Sequence, residues 1–152
     1  MNEKYKAYYK SKIGIIVITG TEDAITSIDI ISARPLPSKK IPDCLKECVR
    51  QIDEYFNNKR KEFSLNLQPE GTDFQKRVWK QLTKIPYGKT VSYQDVARGI
   101  GRFKAARAVG GAIGKNKISI IIPCHRVIGS DGSMTGFGGG IWRKEWLLNH
   151  ES

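Results

Sequence analysis

Apolar positions along this chain change rhythm at the halfway point. Between Ile13 and Ile31 they form two runs rich in β-branched residues, Ile13-Gly14-Ile15-Ile16-Val17-Ile18 and Ala24-Ile25-Thr26-Ser27-Ile28-Asp29-Ile30-Ile31, parted by the polar Thr19-Gly20-Thr21-Glu22-Asp23. The pattern predicts two antiparallel strands joined by a hairpin turn. After a breaker, Arg34-Pro35-Leu36-Pro37-Ser38, the apolar spacing becomes three and four. Leu45, Val49, Ile52 and Phe56 then mark the core face of a helix that Pro42 can open. Lys59-Arg60-Lys61 reads as its solvated end, and Leu65 to Gly71 as an extended linker. Residues 1–70 therefore read as an α/β domain, and 71–152 as a second, mostly helical one.

In that second half Thr72 or Asp73 can cap a helix with Phe74, Val78 and Leu82 on one face, closed by Ile85-Pro86-Tyr87-Gly88. A short strand, Thr90-Val91, leads to Ser92 and Asp95, whose spacing resembles a capping box and predicts a helix from Ser92 to about Arg98. Gly99 to Phe103 breaks it, and a second helix spans about Lys104 to Ile113, which gives a helix-turn-helix order. On this second helix Ala105, Ala108, Val109, Ala112 and Ile113 share the face expected to be core, while Arg107, Gly110, Gly111 and Gly114 fall opposite. Glycine inside a helix costs about 1 kcal/mol relative to alanine, so a smooth outward face calls for something that approaches the backbone closely. A reader of the major groove would carry long polar side chains there. This face suits the minor groove of a duplex, and packing on another helix through small residues is the alternative.

Charge sharpens the picture. Residues 1–70 carry 12 basic and 10 acidic side chains, residues 71–152 carry 14 and 5, so nearly all of the net +11 lies in the second half. That asymmetry fits a polyanion-binding module. No stretch is long and apolar enough for a membrane span, and the N-terminus lacks the apolar core of a signal peptide, so a cytoplasmic protein is expected. Three cysteines and two histidines are too few for a disulfide scaffold or a zinc site; no metal is expected, and Cys44 and Cys48, four apart, read as small buried apolar residues.

Chemistry concentrates at Ile120-Ile121-Ile122-Pro123-Cys124-His125-Arg126-Val127-Ile128. An apolar run of β-formers stopped by proline predicts a strand with a thiol and an imidazole at its end. A cysteine acts as a nucleophile through its thiolate, which a base or positive charge must favour. Consecutive side chains in extended chain point apart, so Cys124 and His125 need a turn or a bridging water to cooperate.

Pro123-Cys124-His125-Arg126-Val127 resembles the acceptor-cysteine motif of the O6-alkylguanine-DNA alkyltransferases. The similarity extends to Ser92-Tyr93-Gln94, to Ala105-Ala106-Arg107-Ala108-Val109-Gly110-Gly111-Ala112, to Asn116 and to Lys144-Glu145-Trp146-Leu147-Leu148-Asn149-His150-Glu151, in the family's order and spacing. The resemblance implies a ribonuclease-H-like α/β N-terminal domain without nuclease activity and a helix-turn-helix of winged-helix type in the C-terminal one. It implies transfer of an alkyl group from O6-alkylguanine, or O4-alkylthymine, in double-stranded DNA to Cys124, once per molecule and without a cofactor. Glu151 would orient His125, which would draw the proton from Cys124 through a water. Tyr93 would rotate the 3′ phosphate and assist departure of the guanine, and Asn116 would hold the turn between helix and active-site strand. Arg107 would fill the gap left by the flipped nucleotide, with Ala106, Gly110, Gly111 and Lys115 along the DNA. Val127, Phe137, Gly138 and Gly139 would wall the pocket, in a loop dense in glycine from Gly129 to Gly140. Two positions depart from the family pattern: Phe137 stands where tyrosine is common, and Gly138 where a larger residue is common. A monomer is expected, with cooperation along DNA left open. Two rivals are a non-enzymatic binder of alkylated DNA, which would lack the acceptor cysteine, and a thiol hydrolase built on Cys124, His125 and Glu151.

Overall fold

A three-stranded antiparallel sheet opens the structure, a computed structural model that describes residues 3–32, 40–134, 136–137 and 140–152. The predicted hairpin is there as β2 (Gly14–Gly20) and β3 (Ile25–Ile31), paired antiparallel. Thr21 closes its turn: the Thr21 N–H donates to the Ala24 carbonyl, and the Thr21 hydroxyl accepts from the N–H groups of Asp23 and Ala24. A third strand, β1 (Tyr5–Ser11), pairs along the other edge of β2, from Tyr5 opposite Gly20 to Ser11 opposite Gly14. Its lysines and tyrosines carry no apolar run, so the sequence pattern did not reveal it. Pairing on both edges makes β2 the central strand and accounts for its almost unbroken apolar run.

After the sheet in chain order comes a 3-10 turn at Asp43–Leu45 that runs into α1 (Lys46–Phe56). Its buried side is Leu45, Cys48, Ile52 and Tyr55. Val49 and Phe56 are only half-buried, so the core face is rotated by about one residue from the expected Leu45, Val49, Ile52, Phe56. Tyr9 of β1 ties the helix to the sheet: its ring stacks on Phe56 at 5.8 Å and its hydroxyl donates to Asp53 at 2.8 Å. Of the two helical thiols Cys48 is buried, whereas Cys44 is half-exposed, against expectation. The segment read as linker is partly pinned, since Ile25 exchanges backbone hydrogen bonds with Asn66 and Gln68. The breaker at 34–38 lies outside the described residues.

The remaining elements are α2 (Asp73–Leu82), β4 (Val91–Ser92), α3 (Tyr93–Gly99), α4 (Ala106–Gly114), β5 (Val127–Ile128) and α5 (Ile141–Glu151). Helices α2 and α3 both start on reciprocal capping boxes, Thr72 with Gln75 and Ser92 with Asp95, in which each side chain bonds the other residue's backbone N–H. Trp79 of α2 donates from its indole N–H to the Ala112 carbonyl of α4 at 2.8 Å, and Val78, Leu82, Val96, Val109, Ala112 and Ile113 fill the core between them. Ala108, expected on that core face, is exposed, and Ala105 is half-buried at the N-cap. The chain thus forms two units, Met1–Pro69 and Glu70–Ser152.

Candidate active site

The apolar run before Cys124 is not a strand. Ile118 to Ile122 fold into tight turns: the Ile121 N–H donates to the Ser119 carbonyl at 2.8 Å and the Ile122 N–H to the Ile118 carbonyl at 3.0 Å. Ile120 sits at φ 72°, a left-handed conformation that is an outlier for a β-branched residue and costs about 1–3 kcal/mol. Two bonds from one side chain brace it. Asn116 accepts from the Ile118 N–H and donates to the Ile122 carbonyl, each at 3.0 Å. Local sequence favours extension here, but the buried isoleucines and the Asn116 clamp fix a compact knot instead.

Pro123, at φ −80° and ψ 65°, makes an inverse γ-turn in which the Cys124 N–H donates to the Ile122 carbonyl at 2.8 Å. Cys124–Arg126 then forms one turn of 3-10 helix, and Val127–Ile128 pairs parallel with Val91–Ser92. The nucleophile candidate is therefore presented by a turn rather than by a strand end. Cys124 keeps 8% of its surface exposed, while His125 and Val127 are wholly buried.

Around this turn stands a buried ionic cluster contributed by both ends of the unit. Glu151, in the last turn of α5, lies 2.8 Å from Nε2 of His125. The Arg126 guanidinium grips the same carboxylate through Nε at 2.8 Å and Nη2 at 3.0 Å, and its Nη1 donates to the Ile85 carbonyl at 2.7 Å. Gly88, at φ 79°, approaches so closely that a Cβ there would lie 2.9 Å from the Glu151 carbonyl oxygen, so only glycine fits. A carboxylate can only accept; His125 must therefore carry its proton on Nε2, which leaves Nδ1 as the acceptor. Nδ1 is also the one buried side-chain polar atom without a hydrogen-bond partner among the described residues. A base with an unoccupied lone pair is thus held next in sequence to the thiol. Burial pulls the His125 pKa below its ordinary value, with the Glu151 carboxylate opposing, so the ring is neutral at pH 7.

Burial pushes the Cys124 thiol up from its ordinary value. Opposing that shift are the Asn116 side chain, the positive charge of Lys144 and the backbone N–H groups of Cys124 and His125. Lys144, on α5, is 1% exposed and donates to the Val127 carbonyl at 2.6 Å. Its own pKa is lowered by burial, with the Cys124 charge opposing. Sequence reasoning passed over Lys144 as one letter of a longer motif and gave Arg126 no definite role. The signal that could have found Lys144 is its spacing: it lies one helical turn, then another, before Leu147 and Glu151, so a helix that buries Glu151 also turns Lys144 inward.

The other residues singled out from the sequence fall on the surface of the same unit. Tyr93 is half-buried at the start of α3, beside Gly110, where a Cβ would rest 3.7 Å from its ring. A Cβ there would make ordinary contact with the ring, so Tyr93 does not by itself require glycine at this position. Gly111 and Gly114 do face open space, since a Cβ at either would meet no atom within 4 Å. Arg107 and Lys115 are exposed and Ala106 half-buried. Phe137 is half-buried, and Gly138 and Gly139 lie outside the described residues. Trp146 is half-buried and stacks on His150 at 4.8 Å, while Leu147 fills the core. A cavity of about 460 Å³, lined by Glu22, Cys44, Cys48 and Phe63 among others, belongs to the first unit and shares no residue with this cluster. Among the described residues no group of side chains could hold a metal ion, and no helix is long and apolar enough to cross a membrane.

A turn-mounted cysteine next to a carboxylate-oriented histidine is the arrangement of a protein that can raise a thiolate nucleophile, and the unit that carries it is basic, as a polyanion-binding module would be. Comparison with known proteins makes this specific. Residues 4–69 match the family profile of the 6-O-methylguanine DNA methyltransferase ribonuclease-like domain, and residues 73–152 that of the 6-O-methylguanine DNA methyltransferase DNA binding domain. The chain belongs to the O6-methylguanine DNA methyltransferase family. It is 45% identical over 152 residues to the methylated-DNA--protein-cysteine methyltransferase of Methanosarcina barkeri, covering 97% of this chain and 96% of that one. Against the Mycobacterium tuberculosis protein of the same name it is 46% identical over 145 residues, 93% of this chain and 88% of that one. The crystal structure of the M. tuberculosis O6-methylguanine methyltransferase superposes with a TM-score of 0.88 at 43% identity, covering 98% of this chain and 93% of the other. A crystal structure of the M. tuberculosis protein in complex with DNA gives 0.85 at 44% identity, covering 95% and 90%.

Proposed function

We infer that this protein repairs DNA by moving a methyl or other alkyl group from O6 of guanine, or from O4 of thymine, onto the sulfur of Cys124. Neutral His125 takes the thiol proton through a water at Nδ1, and Glu151, held by Arg126, keeps the ring in the tautomer that leaves Nδ1 open. The Cys124 thiolate attacks the saturated carbon; the S–C bond forms as the C–O6 bond breaks, and the electron pair leaves with guanine. The Tyr93 hydroxyl supplies a hydrogen bond or proton at N3. A thioether has no ready hydrolytic exit, so each molecule acts once, and the reaction draws on no cofactor.

Bases within a duplex must leave the stack to reach such a site. In this reading α3 and α4 act as a helix-turn-helix of winged-helix type, α4 lies in the minor groove with Gly111 and Gly114 against the DNA, and Arg107 occupies the space of the everted nucleotide. Lys115 meets the backbone, and Phe137 with Gly138 and Gly139 walls the base pocket. With chromosomal DNA as its substrate, the protein works in the cytoplasm. The observation that carries the reading is the His125–Glu151–Arg126 cluster with its open Nδ1 next to Cys124, in a domain that matches the family along its whole length.

The test is to incubate the protein with duplex carrying one O6-methylguanine and weigh its peptides. One methyl group per molecule on the Cys124 peptide is expected, with restored guanine in the DNA. Cys124→Ser should slow transfer by at least about a thousandfold. Binding without a gain in mass would point to a lesion binder, and turnover of a thioester without methylation would point to a thiol hydrolase.

A further inference from the structure

Phe103 is 60% exposed, more than the other exposed large apolar residues among those described, Trp142 and Ile141. Its exposure is imposed by a braced turn. The Gln94 amide donates to the Phe103 carbonyl, Arg77 Nη2 donates to the Ile100 carbonyl at 2.8 Å, and backbone bonds run from Gly101 to Arg98, from Arg102 to Ala97 and from Ala105 to Arg102. These bonds hold the turn with the ring turned outward, so water faces an aromatic surface. Trp142, by contrast, already has the Arg143 guanidinium 4.8 Å from its ring centre.

What surrounds Phe103 limits what could cover it. Arg102 and Lys104 flank it and are exposed, with the Arg102 guanidinium 5.9 Å from the centre of the Phe74 ring. Three residues further on α4 begins, and its exposed positions include Arg107, Gly111, Gly114 and, just past its end, Lys115. The acid of α3, Asp95, is already engaged by Arg98 at 3.4 Å. An occupant must therefore offer negative charge at two points with an apolar face between them. The edge of a DNA strand does so: phosphates alternate with deoxyribose rings, and minor-groove proteins commonly lay apolar side chains against the duplex.

We propose that Phe103 is a DNA-contact residue whose ring packs on a deoxyribose of the strand bordering α4, between phosphates met by Arg102 and Lys104. The proposal rests on the repair function inferred above and adds to it an apolar anchor outside the alkyl-acceptor pocket.

The experiment is a salt series of fluorescence anisotropy with a labelled O6-methylguanine duplex, using the full chain, Phe103→Ala and Lys104→Ala. Phe103→Ala should weaken binding about tenfold at every salt concentration and leave the slope of log affinity against log salt unchanged, because an apolar contact releases no counterion. Lys104→Ala should instead flatten the slope by about 0.9. Methyl transfer from free O6-methylguanine nucleoside, which needs the pocket but not the strand, should be the same for Phe103→Ala as for the unaltered protein, as should the melting temperature. If the unaltered protein binds the duplex and Phe103→Ala binds within twofold of it, this proposal alone is overturned. If the unaltered protein does not bind the duplex, the repair reading falls and this proposal with it.

Discussion

Two buried cysteines, one in each unit, share the upward push of burial on the thiol and differ in what surrounds the sulfur. Cys48 sits on the inner face of α1, 1% exposed, where burial and the neighbouring Glu47 carboxylate together push its thiol up to about 12. Nothing opposes them. Cys124, 8% exposed, is also pushed up by burial, but an amide side chain, an ammonium and two backbone N–H groups all pull the other way. A helix wall with a like-signed neighbour stabilises the protonated thiol. A turn that gathers donors around the sulfur offsets part of the cost that burial puts on the thiolate, although the Cys124 thiol still stands above its ordinary value.

The widest gap between the two regions should appear on breaking the ionic cluster. Glu151→Gln leaves the Arg126 guanidinium buried without a countercharge, so stability should drop by about 3–5 kcal/mol, read as a lower urea midpoint. A loss under about 1 kcal/mol would mean that the packing around Cys124 stands without its ions.

Smaller, and confined to the other region, is an alkaline effect of Cys48. Its ordinary value is 9.0 and its folded value about 12, so above about pH 9 the unfolded chain sheds a proton that the folded chain keeps. The unfolded state then binds fewer protons, and stability falls as pH rises. From about pH 8 to about pH 11 the loss due to this thiol should be on the order of 2 kcal/mol. Cys48→Ala should remove that part of the slope in melts at the two pH values while leaving methyl transfer at neutral pH unchanged.

The finest test concerns Lys144. Removing its charge in Lys144→Met lifts the Cys124 thiol further and shrinks the thiolate fraction, so transfer at neutral pH should slow measurably. The deficit should shrink as pH rises and the thiolate forms unaided. A pH-rate profile checks this; a deficit equal at every pH would confine Lys144 to holding the Val127 carbonyl.

Much of this organisation was legible in the chain. Helix starts written as Thr72 with Gln75 and Ser92 with Asp95 are local chemistry, and the hairpin between β2 and β3 follows from its own turn residues. Where neighbours decide, local reading failed. Strand β1 exists because β2 offers an edge to it, and α1 turns Cys48 and Tyr55 inward because the sheet lies on that side. The isoleucines before Pro123 have strand propensity, but the clamp from Asn116 and burial of all their side chains hold a turn with Ile120 at positive φ.

By itself the sequence determined which side chains were candidates for the chemistry: Cys124 and His125 stand side by side after the apolar run, and the resemblance of the motifs added Glu151. Only the tertiary structure decided their electrical state. Arg126 comes from the turn itself and Lys144 from α5, and the carbonyls of Ile85 and Val127 complete the site. Proton affinities depend on distance and dielectric, which are set only when segments far apart in the chain pack together.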